Sequence, residues 1–118
     1  MDFGNHVRQL RVQRREVNRR YSVRQVAHRI GVEPAYLSKI ERGDVSPPSE
    51  DIIRRLAADL GEDVDLLLAL AGKVSGDIVE VIARRPILFT ELIRGLSDAP
   101  EDILISLVRK VRNGEMGR

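Results

Sequence analysis

Apolar residues along this chain recur at intervals of three and four and nowhere alternate long enough to describe a strand. Val7 and Leu10, with the stem of Arg14, mark one face of a first helix from about Phe3 to about Val17, and Arg8, Arg11 and Arg15 crowd the remainder. Asn18-Arg19-Arg20-Tyr21 reads as a connection. Ser22 and Gln25 then have the spacing of a capping box, which satisfies amides left open at a helix start. Val23, Val26, Ala27 and Ile30 give the second helix its apolar face, and Gly31 ends it, since glycine takes left-handed backbone angles without a Cβ penalty. Pro34 suits the first turn of a third helix, where its missing N–H costs nothing. Leu37 and Ile40 face inward from that helix, and Gly43 closes it.

Ser46-Pro47-Pro48-Ser49 is a stiff turn with Ser49 as N-cap, and Glu50 and Asp51 are well placed at the positive end of the next helix. Ile52, Ile53, Leu56, Ala57 and Leu60 carry that fourth helix to Gly61, and residues 63–70 make a short fifth. Gly72 marks the change to a second segment. Its stripes are Ile78, Val81 and Ile82, ended by Arg84-Arg85-Pro86; then Leu88, Phe89, Leu92, Ile93 and Leu96; then Ile103, Leu104, Leu107, Val108 and Val111 before Asn113-Gly114. Asp98 and Glu101 have capping-box spacing, with Pro100 in the first turn. The expected class is all-α: a five-helix domain over residues 1–71 and a three-helix segment over residues 72–118.

Composition narrows the function classes. A 42% hydrophobic share supports a folded core, but with only 3% aromatics the core is built from Leu, Ile, Val and Ala. The absence of cysteine removes disulfides, cysteine-bound zinc and thiol chemistry, and fits a reducing compartment. No charged-then-apolar leader and no apolar run near 18 residues are present, so the expectation is a soluble cytoplasmic protein without a membrane partner. His6 and His28 lack metal-ligand companions, no serine sits in a Gly-x-Ser-x-Gly elbow, and no glycine-rich phosphate loop follows a strand. The pairs Glu62/Asp63 and Glu101/Asp102 lie at helix starts, where the helix dipole explains them. Neither catalysis nor a cofactor or metal is expected.

Charge is more informative in its distribution than in its sum of +2. Residues 1–30 carry eight arginines against Asp2 and Glu16, a balance of +6, while residues 31–71 carry four basic against nine acidic residues, a balance of −5. A concentrated basic face can contact phosphates even on a nearly neutral chain.

Two short helices hinged by Gly31, with small Ala27 where they touch, are a way of presenting a helix to the major groove. The pattern Ala27-x-x-Ile-Gly31-Val-x-x-x-Tyr36-Leu-Ser-Lys-Ile-Glu41-Arg-Gly43, followed by Pro48-Ser49 and Leu56-Ala57-x-x-Leu60-Gly61, resembles the XRE family of helix-turn-helix regulators, the Cro and lambda-repressor type. The resemblance spans roughly residues 4–70. It implies five helices, a recognition helix near Pro34–Arg42 in the major groove, and a dimer reading two half-sites of double-stranded DNA. By position it puts Glu33, Pro34, Ala35, Tyr36, Ser38 and Lys39 near base edges.

Side-chain chemistry fits that assignment in part. Lys39 can donate to guanine, Ser38 can donate or accept, and Glu33 can accept from cytosine, whereas Pro34 and Ala35 offer only apolar contact, which shifts weight onto DNA shape. Val23 stands where the family often has glutamine, and Arg24 beside it can take over the phosphate; Gln25 and Arg42 complete the expected DNA-binding set. The connection around Glu16–Arg20 is some five residues longer than usual for the family, and its arginines can reach DNA. Glu41 in the family commonly pairs with an arginine late in the first helix, the place Arg11 occupies, so its expected role is structural.

Seventeen of the 47 residues from Gly72 onward are Val, Ile, Leu or Phe, on helices too few to bury them alone. Dimerisation through Leu88, Phe89, Leu92, Ile93, Leu104, Leu107, Val108 and Val111 is the expectation, because a two-fold DNA site asks for a two-fold protein. The sequence thus points to a DNA-binding transcriptional regulator, a homodimeric repressor of a dyad-symmetric operator. The alternative is an antitoxin or adaptor whose C-terminal helices hold a partner protein. A regulatory protease, toxin or antirepressor is a further candidate partner.

Overall fold

The computed structural model describes residues 2–115, and among these every regular element is helical. In chain order these are α1 (Phe3–Val17), a 3-10 turn (Arg19–Tyr21), α2 (Val23–Ile30), α3 (Pro34–Arg42), α4 (Glu50–Leu60), α5 (Val64–Leu70), α6 (Gly76–Arg84), α7 (Pro86–Gly95) and α8 (Glu101–Arg112). The all-α class expected from the periodicity is what the structure has. The chain divides into two compact units between Gly76 and Asp77. The final three positions of the segment expected over 72–118 lie outside the described residues.

Short polar side chains start four of the five α-helices of the first unit. Asp2 accepts from Asn5 N at 2.7 Å, Ser22 from Gln25 N at 3.2 Å, Ser49 from Ile52 N at 3.4 Å and Asp63 from Leu66 N at 2.9 Å. Asp63 therefore caps α5 instead of lying within it. Gln25 Oε1 meets the Ser22 hydroxyl at 3.3 Å. The capping box expected at Asp98 and Glu101 does not form: Pro100 is the N-cap of α8, with no side-chain cap bond, and Asp98 lies in the turn before it. Proline at the cap holds the extended backbone that an N-cap needs, which leaves Asp98 two residues too early.

The core of the first unit is aliphatic, with Phe3 as its one aromatic member. Val7, Val26, Ala27, Leu37, Ile53, Leu56, Leu60, Leu67 and Leu68 are fully enclosed, with Phe3, Ile30, Ile40 and Ala57 almost so. Helix α1 packs on α3, α2 on α3 and α4, and α4 on α5. Close approach of α1 to α3 depends on Gly4, since a Cβ there would run into the Ile40 carbonyl oxygen and lie 2.9 Å from that of Glu41. The apolar spacing of the first helix did not single out Phe3 or Gly4, which pack against the far end of α3.

One buried ion pair locks the same two helices. Arg11 Nε donates to Glu41 Oε2 at 2.7 Å and its Nη2 to Oε1 at 2.8 Å, while Nη1 reaches the Tyr21 carbonyl at 3.2 Å. Arg11 and Glu41 are both buried. The partnership expected from their positions is present, and its third bond also holds the connection between α1 and α2.

That connection is pinned again by Arg29. Its guanidinium grips Asp59 through two bonds of 2.6 and 3.0 Å, donates to the Arg20 carbonyl at 2.7 Å and stacks 4.9 Å from the centre of the Tyr21 ring. The bonds from Asp59 hold the Arg29 pKa above its ordinary value. At the other end of the unit, Arg54 donates to the buried Ser75 hydroxyl at 2.7 Å, and Glu50 accepts from Gly76 N at 3.1 Å.

The second unit has another character. No residue of α6, α7 or α8 is buried, and no two of these helices pack closely along their length. Twelve of the seventeen large apolar residues that stand exposed among the described residues belong to these three helices, Ile87 at 78% and Leu88 at 66% being the most open.

Candidate nucleic-acid interface

Helices α2 and α3 make a helix-turn-helix. Gly31 ends α2 at φ +78°, where its N–H meets the His28 carbonyl at 3.3 Å and the next amide, Val32 N, returns to the Ala27 carbonyl at 3.0 Å. Only glycine holds that backbone without strain. Ala27 is enclosed at the elbow, small enough for the helices to meet. Pro34 then opens α3, and Glu33 is its N-cap residue, with its carboxylate free of any cap bond.

The two faces of α3 are sharply divided. Leu37, Ile40 and Glu41 are buried, so the helix cannot roll without breaking the core and the ion pair together. Ala35, Tyr36, Lys39 and Arg42 are exposed, and Pro34 is half-buried. Tyr36 is exposed at 36%.

Ser38 turns aside. With Asn5, Arg8, Val23 and Arg42 it lines a groove of about 430 Å³ whose floor is the Arg11–Glu41 pair. The groove runs between α1, the start of α2 and the flank of α3. Arg24 and Gln25 are exposed on the first turn of α2, though Gln25 is partly engaged by Ser22. Arg42 is held by Asp44 at 2.9 Å on the open surface. Sequence reasoning placed Arg8 only in the crowd of the first helix and passed over Asn5. Their signal was the register with Arg11, three and six residues ahead on the same helix.

Charge pairing separates two kinds of arginine in the first unit. Arg11, Arg29, Arg42, Arg54 and Arg55 each hold a carboxylate. Arg8, Arg15, Arg19, Arg20, Arg24 and Lys39 form no ion pair among the described residues. The unpaired cations come from α1, the 3-10 turn, the start of α2 and the outer face of α3, elements contiguous in this unit. Unpaired cations on elements beside an exposed helix are groups that a phosphate-bearing partner would meet.

The histidines have the satisfied or exposed places expected of them. His6 Nε2 lies 3.1 Å from Glu62 Oε2, and His28 is exposed. Glu62 also accepts from Asp63 N at 2.8 Å; this bond and then the His6 ring hold its carboxyl below the usual range.

The elbow, the buried inner face and the exposed outer face of α3 define a helix-turn-helix protein. Sequence comparison agrees: a family described as helix-turn-helix domain matches residues 2–70, more than half of the chain, and the chain belongs to that family. No curated protein and no solved structure matches the chain. Among the described residues no helix is long and apolar enough to cross a membrane.

Proposed function

We propose that this protein is a sequence-specific transcriptional regulator of the XRE type, a cytoplasmic repressor that binds a dyad-symmetric operator as a homodimer. The observation that carries the reading is the division of α3: an inner face fixed by Leu37, Ile40 and Glu41, and an outer face of Ala35, Tyr36 and Lys39 left free. In this reading Lys39, Tyr36, Ser38 and Glu33 meet base edges, with Pro34 and Ala35 adding apolar contact. Arg24, Gln25 and Arg42, joined by Arg8 and Asn5 around the groove, hold phosphates and set the register. The unpaired Arg15, Arg19 and Arg20 extend the phosphate contact along the backbone.

Residues 1–71 are the DNA-binding domain and 72–118 the segment that dimerises, through Leu88, Phe89, Leu92, Ile93, Leu104, Leu107, Val108 and Val111. The test is selection of duplexes from a random pool by the full-length protein. The expected product is an inverted repeat with half-site centres about 10 base pairs apart, or a multiple of that. Enrichment of no sequence over the starting pool would overturn the reading.

The open apolar helices of the second unit favour one other reading, an adaptor or antitoxin that holds a different protein there. Co-purification of an unrelated chain at fixed stoichiometry from the native host is its signature.

A further inference from the structure

Helix α8 carries its charge in opposite signs at its two ends, with Glu101 and Asp102 in the first turn and Arg109, Lys110 and Arg112 in the last. Between them run Leu104, Leu107, Val108 and Val111, which face Leu92 and Leu96 of α7 across an apolar groove of about 360 Å³. The helix dipole explains the acidic start and the basic end. It does not explain why the stripe between them is left open, nor why the second unit buries no side chain of its own.

We propose that the groove is filled by α8 of a second copy of this chain, laid antiparallel about a two-fold axis through the middle of the stripe. This rests on the homodimer reading above and specifies how the two copies meet. Two observations carry it. The stripe is self-complementary: an axis between Leu107 and Val108 sets Leu104 against Val111 of the partner subunit and Leu107 against Val108 of the partner subunit, as an isologous contact requires.

The charges match as well. Glu101 and Arg112 are eleven residues apart, close to three full turns, so they lie on the same edge of α8 at opposite ends. The two-fold axis brings Glu101 to within about 3 Å of rise of Arg112 of the partner subunit, and does so twice. A parallel pair sets acid against acid and base against base. In the dimer, α7 and α8 of the two copies together supply the closed core that one copy lacks. Arg112 stands at the rim of the groove, where a pairing residue belongs.

Sedimentation equilibrium of the full chain over a range of protein concentration, at low and high salt, tests the arrangement. Wild-type protein is expected as a dimer whose dissociation constant rises with salt. Glu101→Lys is expected to weaken the dimer by about tenfold, since two attractive rim pairs become repulsive. The exchange Glu101→Lys with Arg112→Glu on one chain restores it.

Arg112→Gln removes the same pairs without touching the first turn of α8, and is expected to weaken the dimer by about threefold with helicity unchanged. A dimer as tight in Glu101→Lys and Arg112→Gln as in wild type overturns the antiparallel arrangement while leaving the homodimer standing. Failure of the double exchange to recover the wild-type constant, with helix content retained, overturns it too. Wild-type protein that remains monomeric at every concentration overturns the homodimer itself.

Discussion

Lys39 and Arg24 lie on successive helices but are expected to answer different questions about DNA. Lys39 is on the free face of α3, so Lys39→Ala is expected to cost about 1–3 kcal/mol on the preferred site and to relax specificity at one position in each half-site. Arg24 is on the first turn of α2, where a phosphate contact is indifferent to sequence. Arg24→Ala is expected to weaken binding evenly and to lower the salt slope by about one unit per half-site. Fluorescence anisotropy on a panel of single-base variants, repeated across salt, reads both. Uniform weakening by Lys39→Ala would assign it to the backbone instead.

Glu62 gives a prediction of another kind. The Asp63 amide and the His6 ring hold its carboxyl below the ordinary value, so the charged form is favoured by folding. Its contribution is present above the unfolded carboxyl pKa, near 4.5, and is lost as pH falls through the depressed folded value. Urea midpoints of wild type and Glu62→Gln are therefore expected to differ at neutral pH and to converge in acid, with the mutant showing the shallower acid limb. Parallel acid limbs would remove Glu62 from the account.

At the scale of elements, α1 and α3 are joined by a glycine contact and an ion pair that fail in different ways. Glu41→Gln leaves Arg11 charged in an enclosed site and is expected to cost about 3–5 kcal/mol, whereas replacing both partners with apolar residues of similar size costs much less. Denaturant titration of the single and double variants separates the two. Most of α1 to α5 could be read from the chain because stops, starts and stripes agree there: Gly31, Gly43 and Gly61 each end a helix at positive φ, and Pro34, Ser49 and Asp63 mark the starts that follow.

What escaped the sequence was contact between distant elements. Nothing around Gly4 announces that Ile40 will lie against it, and nothing around Arg29 announces Asp59, thirty residues on, because such pairs follow from how helices cross and not from periodicity along either one. The candidate interface was legible for the same reason as the fold, since burial of Leu37 and Ile40 dictates which side chains of α3 remain outside. Asn5 and Arg8 were hidden because their place in the groove depends on the crossing of α1 over α3.

The whole molecule joins a first unit with a sealed core to a second whose helices bury nothing by themselves. Twelve exposed apolar residues on three short helices are the demand for a partner that the proposed dimer answers. The length of the tail and its count of aliphatic residues made that demand visible in the sequence. That α6, α7 and α8 bury none of those residues was not, because each stripe taken singly looks like an ordinary core face.

In the proposed homodimer, an open C-terminal third also ties the survival of the molecule to its abundance. In that reading a chain without a mate leaves the exposed helices beyond Gly76 open to any peptidase, and mass action shields them as copies accumulate. Limited digestion at rising protein concentration is expected to slow cleavage within residues 77–115 while leaving the rate within residues 3–70 unaltered. Turnover of this kind would give a cell a threshold: scarce chains would be cleared, plentiful ones would persist, and the proposed gene control would change abruptly with a modest change in synthesis.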